Sequence, residues 1–80
     1  MIPDWKTRIT MNPTVLAGKP VIRGLRISVE HVLLSLSAGI PADELLTEYP
    51  DLQPEDLSAC LAYAAEMIGA ERVYPIRVGA

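Results

Sequence analysis

The stretch from Gly18 to Val29, Gly-Lys-Pro-Val-Ile-Arg-Gly-Leu-Arg-Ile-Ser-Val, constrains the fold more than any other part of this chain. Its two glycines and its proline punctuate the backbone, while Val21, Ile22 and Ile27 favour extended structure. The pattern predicts a short strand, a tight turn near Arg23-Gly24, a second short extended piece, and a helix launched from Ser28. Residues before this stretch form a lead-in, and residues after it are helical. Three of the chain's seven Lys and Arg residues also lie here, at Lys19, Arg23 and Arg26. A function that depends on an anion is therefore sought here first.

Upstream, Met1 to Thr7 reads as a poorly ordered lead-in from which Trp5 docks elsewhere. Arg8-Ile9-Thr10-Met11 alternates as a short strand, and Asn12-Pro13 opens a turn. Pro13 to Ala17 reads as a loop with one 3-10 turn. Pairing Pro20–Ile22 with Ile9–Met11 makes a small β hairpin, spanning residues 8–27 with its continuation. A hairpin of this size needs something packed on it.

The first helix is expected over Val29–Ala38. Ser28 is a good N-cap, Glu30 suits the first turn, and Gly39 is a ready residue beyond the C-cap. Val29, Val32, Leu33 and Leu36 form one face at i, i+3, i+4, i+7. The second helix is expected over Ala42–Tyr49, with Pro41 as N-cap and Pro50 as terminator. Leu45, Leu46 and Tyr49 supply its inward side. With Gln53 as N-cap, the third helix starts at Pro54 and ends near Gly69 or frays to Arg72. Leu57, Leu61, Ala64 and Ile68 are expected to form its buried stripe, widened by Cys60, Tyr63 and Met67.

The expected fold is thus mainly α, a single domain. A three-helix, homeodomain-like helix-turn-helix core over residues 28–72 carries a small N-terminal β hairpin, and residues 73–80 form a tail. A chain of 80 residues buries only roughly 60% of the surface its unfolded form exposes. Half of its residues are nonetheless hydrophobic, so some apolar surface is expected to cover a homodimer or partner interface. No window approaches the ~18 uncharged apolar residues of a membrane span. The N-terminus does not read as a signal peptide, and the lone Cys60 suits a reducing cytoplasm.

Charge is segregated along the chain. Residues 5–29 carry Lys6, Arg8, Lys19, Arg23 and Arg26 with no acid, whereas residues 30–71 carry nine acids with no Lys or Arg. Such a split makes two surfaces of opposite preference.

The residues Gly18-Lys19-Pro20-Val21-Ile22-Arg23-Gly24, followed by Arg26-Ile27 and Val29, resemble the N-terminal signature of the uncharacterised-domain family 433 (DUF433). A second block resembles the same family: Ala38-Gly39, Glu48-Tyr49-Pro50-Asp51-Leu52, Glu55-Asp56-Leu57 and Leu61-Ala62-Tyr63-Ala64. Together they cover about residues 8–65. Leu25, Ser28, Pro41 and Gln53 depart from the family pattern, and Pro41 and Gln53 cap less well than Ser or Thr by up to ~1 kcal/mol each. The resemblance implies a small helix-turn-helix protein, similar in role to VapB-class antitoxins encoded beside a PIN-like ribonuclease toxin.

Catalytic signals are few. His31 and Cys60 are the only residues of their kinds; Cys60 reads as core, and His31 lacks a metal-ligand partner one turn on. Glu55 and Asp56 are adjacent and better suit helix-dipole complementation than acid–base work. The chain is expected to be no enzyme and to use no cofactor or metal.

For operator DNA, Lys19, Arg23, Arg26 and Arg8 are the phosphate-contact candidates, with Gln53 and Ser58 on the third helix as base readers. The acids at the start of that helix oppose phosphate contact. For a toxin partner, Tyr74, Ile76, Arg77 and Val78 of the tail are the candidates. The leading expectation is a cytoplasmic antitoxin-like homodimer that binds a PIN-like toxin and regulates its own transcription. The alternative is a protein-interaction adaptor of the same fold that binds no DNA.

Overall fold

The computed structural model describes residues 4–69. Strand β1 (Ile9–Met11) and strand β2 (Pro20–Ile22) are followed by helices α1 (Val29–Ser37), α2 (Ala42–Glu48) and α3 (Pro54–Gly69). The strands pair antiparallel in the register Ile9 with Ile22, Thr10 with Val21 and Met11 with Pro20. The tail 73–80 and any extension of α3 to Arg72 lie outside the described residues.

Local chemistry sets each boundary. The turn after β2 closes with the Leu25 N–H donating to the Ile22 carbonyl at 3.0 Å, and Gly24 adopts a φ of 78° there. A side chain is strained at that angle, so the glycine is required. Val21 then bridges to Ser28, which is the second extended piece. The Ser28 hydroxyl accepts from the His31 N–H at 2.9 Å and caps α1. At its other end, the Gly39 and Ile40 N–H groups donate to the Leu36 and Ser35 carbonyls. With Gly39 at φ 92°, that is a Schellman closure. Pro50 stops α2 by pushing Tyr49 out of helical geometry, to φ −119° and ψ 86°.

The core gathers Ile9 and Ile22 from the hairpin, Val29 and Val32 from α1, Leu45 from α2, Leu52 from the connection, and Leu57, Ala59 and Cys60 from α3. The inward faces expected for α1 and α2 are therefore the buried ones.

The third helix departs from expectation. Leu61 and Ile68, expected in the buried stripe, are 54% and 62% exposed. The inward face runs instead through Asp56, Ala59, Cys60 and Tyr63, again at i, i+3, i+4, i+7, flanked by Leu57 and Ala62. Small side chains at 59, 60 and 62 let α3 approach closely. The N-terminal segment then holds its rotation through Tyr63, on the same face.

That segment is the second correction. Residues Trp5–Thr7 form a 3-10 turn rather than a loose lead-in, with the Asp4 carboxylate accepting from the Lys6 N–H at 3.1 Å. Trp5 packs edge-on against Tyr63 at 4.8 Å between ring centres, and its indole N–H donates to Glu66 at 3.0 Å. Both partners lie on α3, one turn apart.

Leu45 is almost fully buried, so Leu45→Ala should cost roughly 2–5 kcal/mol in urea unfolding. Leu61→Ala should cost less than about 1 kcal/mol, as an exposed position. A large loss at Leu61 would contradict this rotation of α3.

Candidate functional site

Arg8, at the base of β1, projects onto the first turn of α3. Its Nη1 donates to Asp56 Oδ1 at 2.9 Å and to Gln53 Oε1 at 3.2 Å. The other Asp56 oxygen, Oδ2, accepts from the Gln53 backbone N–H at 2.9 Å. A carboxylate at the third helical position reaching back to the cap N–H is half of a capping box. Asp56 is therefore buried, 5% exposed, with both oxygens bonded. This differs from the phosphate-facing position that its place in the sequence suggests. Its cap geometry and the guanidinium across from it account for the difference. Arg8 and Gln53, candidates for DNA contact, are brought together here and hold hairpin and helix to each other.

The remaining candidates are dispersed. The Lys19 ammonium pairs with Glu30 at 3.0 Å, both side chains well exposed; such a pair contributes little to stability. Arg23 extends from the hairpin turn and makes a long 3.5 Å contact to the Lys6 carbonyl. Arg26 borders a shallow concavity of about 320 Å³ with Ser28, His31 and Tyr49. There the His31 Nε2 lies 3.0 Å from the Tyr49 hydroxyl, with the rings edge to face. Lys6, Arg23 and Arg26 make no ion pair among the described residues. Ser58 is exposed on α3. Tyr74, Ile76, Arg77 and Val78 lie outside the described residues.

Two surfaces appear only in three dimensions. The first is an apolar groove of about 600 Å³ between α1 and α3, walled by Leu33, Leu34, Ala64, Met67 and Ile68, with Lys19 and Glu30 at its rim. Its one hint in the sequence is that both helices carry more apolar residues than one buried face uses. The second is the outer side of α2 and the start of α3, where Asp43, Glu44, Glu48, Asp51 and Glu55 are all exposed. The charge split along the chain is its sequence signal.

Cys60 is fully buried in the core. Burial pushes its thiol up to about 12, and the nearby Asp56 carboxylate adds to the rise. The thiolate needed for nucleophilic or metal-binding chemistry is thus suppressed. Among the described residues, no three His, Cys, Asp or Glu side chains are grouped to hold a metal ion, and no helix is long and apolar enough to cross a membrane.

Residues 9–64 match the family profile described as "Protein of unknown function (DUF433)". The uncharacterized protein y4eO of Sinorhizobium fredii (strain NBRC 101917 / NGR234) is 35% identical over 68 residues, 82% of this chain and 31% of that protein. The chain thus spans about a third of that relative's length. The crystal structure of a DUF433 member protein from Anabaena variabilis ATCC 29413 is 38% identical and superposes with a TM-score of 0.71, covering 82% of this chain and 68% of that one.

Replacing Asp56 with Ala strands Arg8 and the Gln53 N–H together. The expected loss is roughly 3 kcal/mol, the low end for a broken buried pair because Arg8 keeps part of its side chain in water. Asp56→Asn should recover part of it through the cap bond, and urea melts of the two variants make the comparison. For Cys60, about one thiol in 10⁵ is ionised at pH 7 when its pKa is about 12. A maleimide should therefore react only as the chain unfolds; rapid native labelling would contradict the burial.

Proposed function

The chain belongs to the DUF433 family, and from the charge geometry of this member we propose that it is a binding protein of antitoxin type that neutralises a PIN-like ribonuclease by direct contact. The observation that supports this reading is the carboxylate face of α2 and the start of α3. Asp43, Glu44, Glu48, Asp51 and Glu55 are exposed together, and residues 30–69 contain no Lys or Arg. A surface that binds RNA is basic, so an acidic face complements it and competes with the nucleic acid. Asp56, Glu66 and Glu30 are bonded to other side chains, whereas within the acidic face, among the described residues, only the Asp43 carboxylate accepts a bond, from the neighbouring Glu44 N–H. Being no enzyme belongs to the same proposal: the chain offers carboxylates to a partner rather than to a substrate.

Operator binding is the second reading, favoured by one observation. Lys6, Arg23 and Arg26 remain exposed with no carboxylate within ion-pair reach among the described residues. In this reading phosphate contact comes from the hairpin side. The first turn of α3 is poorly suited to a groove, because Gln53 is bonded to Arg8 and Glu55 repels phosphate. Without DNA binding the chain is an adaptor of the same fold.

The test is affinity for a PIN-like ribonuclease encoded beside this chain. Changing Glu48, Asp51 and Glu55 together to Lys should slow association at low salt by at least ~10-fold, with a smaller effect at high salt. Unchanged association would sink the proposal. In gel shifts with the upstream DNA, Arg23→Glu with Arg26→Glu should flatten the log-affinity against log-salt slope by about 0.9 per lost phosphate contact. An unaltered slope leaves the adaptor reading in place of the DNA-binding one.

A further inference from the structure

We propose that this chain pairs with a second copy of itself through the outer stripe of α3, Leu61, Ala64, Ala65 and Ile68, the two helices antiparallel about a two-fold axis between the alanines. Leu61 and Ile68 are 54% and 62% exposed on that stripe. Large apolar side chains grouped on one exposed face are costly to leave in water and mark a contact surface.

The order of residues along the stripe says which partner it fits. Positions 61, 64, 65 and 68 are spaced i, i+3, i+4, i+7, so they share one face of the helix. Read in either direction they run large, small, small, large. A two-fold contact uses the same patch on both subunits, each meeting the other in reverse when the helices are antiparallel. Leu61 then packs beside the second copy's Ile68, and Ile68 beside its Leu61. The alanines fall at the centre, where small side chains let two helix axes approach to about 8 Å. An unrelated partner has no need of a stripe that is symmetric about its middle, whereas a second copy does.

Charge favours the same partner. Between Leu57 and Gly69 the one charged residue is Glu66, and its carboxylate is bonded to the Trp5 indole. The stripe is therefore uncharged, in a chain whose net charge is −3 and whose acidic face lies on α2 and the start of α3. Two copies of an acidic chain repel each other least when they meet on such a stripe. The groove beside it extends the surface: Ala64 and Ile68 belong to its α3 wall, and Leu34, 61% exposed, stands in its α1 wall. Lys19 and Glu30 at the rim pair with each other at 3.0 Å, so the rim adds no net charge.

The pairing leaves the acidic face of α2 outside the contact. It is independent of the nuclease reading, and its failure would leave that reading untouched.

Sedimentation equilibrium of the full chain tests the proposal. Between about 1 and 500 µM chain the mass should rise from one copy to two. Leu61→Glu with Ile68→Glu should raise the dissociation constant at least ~10-fold. The helical circular dichroism should stay in place, because both positions are exposed. Cysteine variants read the direction of the helices. Ala65→Cys lies beside the axis and should oxidise with diamide to a disulfide-linked dimer. Ser58→Cys should not, because antiparallel pairing holds it about 20 Å from its counterpart; the fully buried Cys60 takes no part. A single-copy mass across the whole range, an unaltered dimer in the doubly substituted chain, or faster linkage through Ser58→Cys than through Ala65→Cys would each overturn the proposal.

Discussion

The buried Asp56 carboxylate is the interaction on which the rest of this structure depends. Charge is unfavourable to bury unless every lone pair is used, and here both oxygens are committed, one to Arg8 and one to the Gln53 N–H. The first bond joins the hairpin to α3; the second starts α3 at Pro54. Because the Arg8 carbonyl also accepts from the Arg23 N–H at 2.7 Å, the same residue continues the pairing of the two strands. A hairpin with three residues per strand has little stability of its own. Arg8 couples it to the longest helix, and Trp5 on Tyr63 repeats the clasp two turns further along.

This arrangement explains which parts of the fold are legible in the sequence. The strands, their pairing, the turn at Arg23-Gly24 and all three helix starts come from local chemistry: a serine cap, glycines at positive φ, prolines that open or close helices. Each signal acts within a few residues, so it can be read along the chain. The rotation of α3 cannot be read that way. Two stripes compete on that helix, Leu57-Leu61-Ala64-Ile68 and Asp56-Ala59-Cys60-Tyr63, and hydrophobicity alone favours the first. The second is buried because Arg8 and Trp5, some fifty residues earlier in sequence, bind to it. Its small residues, Ala59 and Cys60, are fully buried, and its one carboxylate is satisfied.

The candidate site is legible in its charge and not in its pairings. The acidic face of α2 and early α3 comes from the absence of Lys and Arg between residues 30 and 71. Which cations remain available is a different matter, because Arg8 is bound to Asp56 and Lys19 to Glu30. Pairing distance in space is set by the fold, and the two pairs span 48 and 11 residues. His31 illustrates the same limit: its partner, the Tyr49 hydroxyl, is on the far end of the next helix.

Rotating α3 so that Asp56 faces inward has a necessary consequence on the helix's other side. A helix with two apolar stripes cannot bury both against one hairpin, and turning the Asp56 stripe in leaves Leu61 and Ile68 facing out. The exposed apolar surface is thus created by the same choice that secures the hairpin. The buried ion pair has one geometry in which both Asp56 oxygens are bonded, and that geometry sets the rotation of α3. The domain acquires a unique internal register and, with it, an apolar groove between α1 and α3. The shape of that groove and the packing of the core are therefore linked through one helix: any change that rotates α3 about its axis alters both at once.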